Sequence, residues 1–153
     1  WQVLRGEANV GQSVVVADFR CDWIGVGLAE KFALDGCRVQ LAFNGSQLAE
    51  NLMQYLRDHA AARMFDLGVE LHSYARLYGV DSDTVYLEHA MARKPIVCEG
   101  VDTLVTALGH ESVDNLEGEL DGMNIELHMI GDCLAPRTAE EAVLEGLKVA
   151  SAL

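Results

Sequence analysis

Ser13-Val14-Val15-Val16-Ala17-Asp18 opens a segment that continues through Ile24-Gly25-Val26-Gly27-Leu28-Ala29-Glu30-Lys31-Phe32-Ala33-Leu34 and closes on Arg38-Val39-Gln40-Leu41-Ala42-Phe43. The first run is short and β-branched, as a buried strand requires. In the second, the apolar positions 24, 28, 32 and 34 lie broadly on one helical face, and Gly36 stops the helix. The third reads as another strand. Strand, crossover helix and strand make a βαβ unit, which implies a parallel sheet covered by helices, the architecture of nucleotide-binding domains.

The loop inside that unit departs from what a dinucleotide requires. A G-x-G-x-x-G turn directly after the first strand lets the backbone approach a diphosphate at the helix N-terminus. Here the turn is Asp18-Phe19-Arg20-Cys21-Asp22. Of the glycines, only Gly25 keeps its place, for close helix-to-strand packing. Asp22 falls at the N-cap, where its carboxylate would fill the positive end of the helix that a phosphate needs. At the tip of the second strand, Phe43-Asn44 replaces the acidic residue that would hold a ribose. The expected product is a Rossmann-like scaffold with an altered diphosphate loop, and a βαβ unit used only for packing is the equal alternative.

Working outward, 153 residues, half of them hydrophobic, suffice for one sizeable core. A formal net charge of −13 argues against nucleic acid and anionic membranes as partners. The four cysteines at 21, 37, 98 and 133 show no C-x-x-C pairing, so they are expected to be reduced and mostly buried in a cytoplasmic protein, with no metal. No run is long enough to span a bilayer, and no signal peptide is read. A chain that begins on Trp1 is expected to be a piece of something longer.

Residues 1 to 11 read as a connecting arm in which Val3 and Leu4 pair at a sheet edge. From Gln47 to Leu67 the apolar spacing predicts one long helix, or two joined near residues 60 to 62, with His59 on a solvated face. Val69 to Tyr74 alternates as a third strand. Gly79 to Asp83 is expected to turn, and Thr84 to His89 with Pro95 to Cys98 to form the antiparallel strands of a small β-meander. His72 and His89 are placed on exposed strand faces. Val101 to Leu108 is another strand, Val113 to Leu120 a short helix capped by Ser112, and Ile125 to Ile130 the last strand. Thr138-Ala139-Glu140-Glu141 carries the pattern of a capping box for a final helix with 142, 143, 147 and 150 on one side. A triad from Ser46, His110 and Asp132 lacks the G-x-S-x-G elbow that would present its serine.

Val3-Leu4-x-Gly6, Gly11-x-Ser13-Val14-Val15-Val16, Ile24-Gly25-Val26-Gly27-Leu28-Ala29-Glu30, Asp102-Thr103-Leu104-Val105-Thr106-Ala107-Leu108-Gly109 and Ile130-Gly131-Asp132-Cys133-Leu134-Ala135-Pro136-Arg137-Thr138-Ala139-Glu140-Glu141-Ala142 together extend over nearly the whole chain. In this order they resemble the C-terminal region of the trimethylamine dehydrogenase and 2,4-dienoyl-CoA reductase family of NADH:flavin oxidoreductases, within it the N-demethylating amine dehydrogenases. The last piece is the most specific. The resemblance implies a glutathione-reductase-like, three-layer α/β fold: a NAD(P)-type domain over residues 12 to 128, and over 129 to 153 the segment that returns to an FAD- or ADP-type domain.

The same resemblance implies a parent enzyme in which an N-terminal barrel carries FMN and a 4Fe-4S cluster. The barrel and the FAD/ADP-type domain would be this module's partners, together with an electron-transfer protein. It implies nucleotide-binding roles for Gly25, Gly27, Asp132 and Thr138, with Asp132 facing the ribityl or phosphate part and the helix from Thr138 aiming its N-terminus at it. The residues that do the chemistry would lie outside this chain. The altered loop argues against NAD(P) use, and the module's own role is then structural or docking. A functional NAD(P)H-binding domain of a 2,4-dienoyl-CoA-reductase-like enzyme and a free-standing interaction domain are the alternatives.

Overall fold

A computed structural model describes all of residues 1 to 153, which divide into two compact units, Trp1–Gly109 and His110–Leu153. In the first unit the elements run β1 (Ser13–Asp18), α1 (Trp23–Leu34), β2 (Arg38–Phe43), α2 (Gln54–Asp66), β3 (Glu70–His72), β4 (Ala75–Asp81), β5 (Thr84–His89), β6 (Lys94–Cys98) and β7 (Thr103–Ala107). Four of the strands form a sheet in the order β3-β2-β1-β7, with all three pairings parallel. The expected βαβ unit is thus in place, with Ser13 beside Arg38 and Asp18 beside Phe43. Strands β4, β5 and β6 form a separate antiparallel sheet.

Alternation along β1 divides the core in two, because successive strand side chains point to opposite faces. Val14 and Val16 pack with Val26, Leu28, Ala29 and Phe32 of α1 and with Met64 of α2. Val15, with Ala42 of β2, packs instead against Ala75, Val85, Leu87 and Cys98 of the antiparallel sheet. Helices, parallel sheet and meander therefore make three layers, the α/β class expected. Val14, Val15, Val16 and Leu41 are completely shielded from solvent, which suits the apolar run expected of a strand covered on both faces. Gly36, at a φ of 88°, and Gly68, at 68°, end α1 and α2 in the left-handed region that other residues resist.

Several local expectations are corrected. Val3 and Leu4 form no strand; they lie in turns, and Val3 packs on the core. The helix expected from 47 to 67 is one uninterrupted helix beginning at Gln54, because residues 47 to 52 form turns. Gly79 to Asp81 belongs to β4, a strand the sequence reading missed because a bulge between Leu77 and Gly79 breaks its alternation. His72 and His89 are half-buried: His72 Nε2 lies 3.0 Å from Gln40 Oε1, and the His89 ring packs on Tyr74 with centroids 5.5 Å apart. All four cysteines are free; Cys21 and Cys98 are buried, and Cys37 and Cys133 half-buried.

The second unit holds α3 (Asn115–Leu120), a single 3-10 turn (Gly131–Cys133) and α4 (Ala139–Ala150). Ser112 does not cap α3; Asp114 stands at the N-cap, and the Ser112 hydroxyl donates to the Leu134 carbonyl. Ile125 to Ile130 is not a strand. Its alternation of Ile125, Leu127 and Met129 with Glu126 and His128 suits a strand, yet no neighbouring chain closes a ladder with it. None of residues 110 to 153 is buried. No helix in the chain is long and apolar enough to cross a membrane.

Candidate functional site

Strand order β3-β2-β1-β7 reverses direction of travel between β1 and β7, and in open parallel sheets ligands bind outside the carboxyl ends of the strands at that point. What the sequence places there is Asp18 at the end of β1, with the loop to α1. The Phe19 amide donates to the Ala107 carbonyl at 3.2 Å, tying the loop to the end of β7. Asp18 is wholly buried. Its Oδ1 accepts from the Cys21 amide at 2.9 Å and the Arg20 amide at 3.2 Å, while Oδ2 has no hydrogen-bond partner. Burial, the largest influence, raises its pKa to about 6, and the Asp22 charge adds to the effect against the two amide bonds.

Gly25 is explained by the same carboxyl group. A Cβ built on it would overlap the Asp18 carboxylate, so glycine is what lets the first turn of α1 lie against β1. Gly27 has no such reason, since a Cβ there would meet nothing within 4 Å.

Further groups of the loop are engaged from within the chain. Asp22 is the N-cap of α1, as expected, and its Oδ1 accepts from the Ile24 amide at 2.9 Å. Its other oxygen pairs with the Arg20 guanidinium. Cys21 sits at a φ of 54°, a left-handed conformation that costs a non-glycine residue energy. It is held there from two sides: its thiol lies 3.1 Å from Asn44 Oδ1, and its carbonyl accepts from the Asn51 amide at 3.0 Å. The Asn51 side chain also donates to the Arg20 carbonyl at 2.6 Å. Burial pushes the Cys21 thiol up in pKa, so it stays protonated.

At the tip of β2, Glu50 Oε2 accepts from the Ser46 amide at 2.9 Å and the Ser46 hydroxyl at 3.3 Å. A Cβ on Gly45 would overlap the Glu50 carboxylate. The sequence reading missed the Glu50, Asn44 and Asn51 contacts altogether. Their separations of 4, 23 and 31 residues from their partners include two that no local motif spans. Asp18 was legible as the end of a strand and the start of the altered turn, and Gly25 as a packing glycine; that the two meet is decided by the fold.

Gly25 and Gly27 stand in the first unit, and Asp132 and Thr138 in the second. Asp132 lies in the 3-10 turn, and its Oδ1 accepts from the Arg137 amide at 3.3 Å. Thr138 is the N-cap of α4 with the full capping box: its amide donates to Glu141 Oε2 at 3.0 Å and its hydroxyl pairs with the same carboxylate. Those bonds hold the Glu141 carboxyl below the usual carboxylate range. Glu145 accepts from the Gly131 amide at 2.7 Å and pairs with Arg137, and its pKa is lowered for that reason. No group of three or more His, Cys, Asp or Glu gathers to hold a metal ion.

No protein-family model matches the chain, and no curated protein matches it by sequence. Solved structures do match it. The chain is similar to histamine dehydrogenase from Rhizobium sp. 4-9, with a TM-score of 0.82 and 21% identity, over 97% of this chain and 24% of that one. It is similar to the 6-hydroxypseudooxynicotine amine oxidase HisD of Pseudomonas geniculata N1, with a TM-score of 0.86 and 22% identity, over 96% and 23%. A 2-naphthoyl-CoA reductase matches with a TM-score of 0.80 and 23% identity, over 96% and 22%. Flavoprotein disulfide reductases share the fold at lower scores. The expected fold resemblance is borne out, and the chain spans about a quarter of the length of the amine-oxidising enzymes it matches.

Proposed function

We propose that this chain is the C-terminal nucleotide-domain module of an FMN- and iron-sulfur-dependent oxidoreductase acting on an amine, and that its own role is structural or docking. Residues 12 to 128 are its NAD(P)-type domain, and 129 to 153 return to an FAD- or ADP-type domain in which Asp132 and the N-terminus of α4 face the nucleotide. Two of the matched proteins are named for amine oxidation, which supports the substrate class.

The observation that carries the docking role is the occupancy of the β1–α1 corner. A dinucleotide's diphosphate needs free amides at the helix N-terminus. Here the Ile24 amide serves Asp22, and the Arg20 and Cys21 amides serve Asp18. A diphosphate arriving there meets two carboxylates and has to displace one. The same holds at the β2 tip, where Glu50 takes the Ser46 donors. Electrons in such an enzyme leave to a carrier protein, with no call for a nicotinamide.

The likeness to a CoA reductase favours a second reading, an active NAD(P)H-binding domain. Calorimetric titration of the chain with NADH and NADPH separates the two. No binding at millimolar nucleotide is the expected result; micromolar affinity for either would overturn the docking role and restore the nicotinamide one.

A further inference from the structure

We infer that residues 125 to 130 are a docking strand: they pair with the open edge of a β-sheet in the part of the parent polypeptide outside this chain, and bring α4 with them. This rests on the reading of the chain as a module of a larger enzyme, and names the partner of its second unit.

The segment already has the two faces of a strand. Ile125, Leu127 and Met129 line one side of a groove that Leu120 and Met123 help to complete. On the other side Glu126 and His128 pair with each other at 3.0 Å. Ile130, at φ −141° and ψ 160°, is extended. The amides of residues 126 to 130 donate to no group of the chain. Alternating faces and a consecutive row of unpaired donors make a template that the carbonyls of another strand complete. A helix laid in the groove would leave those amides as they are.

What the second unit lacks is a cover. None of residues 110 to 153 is buried, and Val143, Leu144 and Leu147 stand exposed on one side of α4. The unit is nevertheless fastened together: the Gly131 amide donates to Glu145 at 2.7 Å, and a Cβ on Gly146 would lie 3.9 Å from the Ile130 side chain. A strand joined in this way to a helix, each with an apolar side open, fits into a layered sheet and buries too little to be stable by itself.

Two observations choose the occupant. The matched enzymes align with 96–97% of this chain, which takes in most of the second unit, and with 22–24% of their own length, so the arrangement recurs inside much longer chains. A second copy is disfavoured by charge, because residues 110 to 153 hold ten acidic residues against two basic ones, and two such surfaces repel.

The test compares amide exchange at residues 126 to 130 in this chain alone and in the full parent polypeptide, with sedimentation of the isolated chain alongside. Expected are a monomer with unprotected amides, and exchange slowed by about a hundredfold or more in the parent. Leu127→Asp should lose that protection in the parent while leaving the unfolding midpoint of the first unit unchanged in the isolated chain. Equally fast exchange in a parent that holds flavin and an iron-sulfur cluster would overturn the docking strand and leave the module reading intact. Slow exchange in the isolated chain, as a monomer or as a dimer, would overturn the strand as well. If no longer polypeptide carries this chain, both readings fall. If Leu127→Asp keeps the parent from folding, the comparison without the substitution decides.

Discussion

The corner between β1 and α1 and the corner before α4 are built from the same parts and have opposite surroundings. Each has a glycine, an aspartate and an N-cap engaged from within the chain: Asp22 accepts from the Ile24 amide in one, and Thr138 shares a capping box with Glu141 in the other. In the first, Asp18 and its neighbours Val14 to Ala17 are wholly buried. In the second nothing is buried, and Val143, Leu144 and Leu147 of α4 stand exposed. Local capping chemistry therefore does not need a core. The shift in the Asp18 carboxyl does, because it comes from desolvation.

Truncating an apolar side chain in each region tests that contrast most severely. Phe32, 2% exposed, packs α1 onto the sheet, and Phe32→Ala is expected to cost about 3–5 kcal/mol in urea unfolding. Leu147, 63% exposed, is expected to cost less than about 0.5 kcal/mol on Leu147→Ala. Equal losses would break the comparison, since they would mean that α4 shares the same cooperative core.

A finer test uses the two glycines of α1. Gly25→Ala drives a methyl into the Asp18 carboxylate, and a loss of about 1–3 kcal/mol is expected by the same measurement. Gly27→Ala meets open space within a helix, so a gain of up to about 1 kcal/mol is expected from propensity. If both stabilised, the close approach at Gly25 would not be what fixes its identity.

The smallest effect belongs to the second corner. Thr138→Ala removes the α4 capping box, and about 1 kcal/mol of local stability should vanish from the first turn of α4. Amide exchange in residues 141 to 143 reads that loss, with the unfolding midpoint of the first unit unchanged. A shift in that midpoint would join the two regions energetically.

The tip of β2 and the segment 125 to 130 show where reading the chain reached and where it stopped. Asn44 was legible as a departure from an acidic ribose holder, but its actual partner, the Cys21 thiol, lies 23 residues away. Ile125 to Ile130 has the alternation of a strand and remains unpaired, because a strand is completed by hydrogen bonds to a neighbour that its own residues cannot supply. For the capping box at Thr138, by contrast, donor and acceptor are three residues apart, and the pattern alone was sufficient.

From the order of residues alone came the parallel βαβ unit, the caps at Asp22 and Thr138, the stops at Gly36 and Gly68, and the loss of glycines from the diphosphate turn. All depend on spacing along one chain, which periodicity and local hydrogen bonding fix. Only the folded molecule decided that Asp18 would lack a donor for one oxygen, that Asn44 and Asn51 would close over the loop, and that residues 110 to 153 would hold no buried side chain. Those outcomes depend on desolvation and on contacts between distant segments, and both arise when the layers come together.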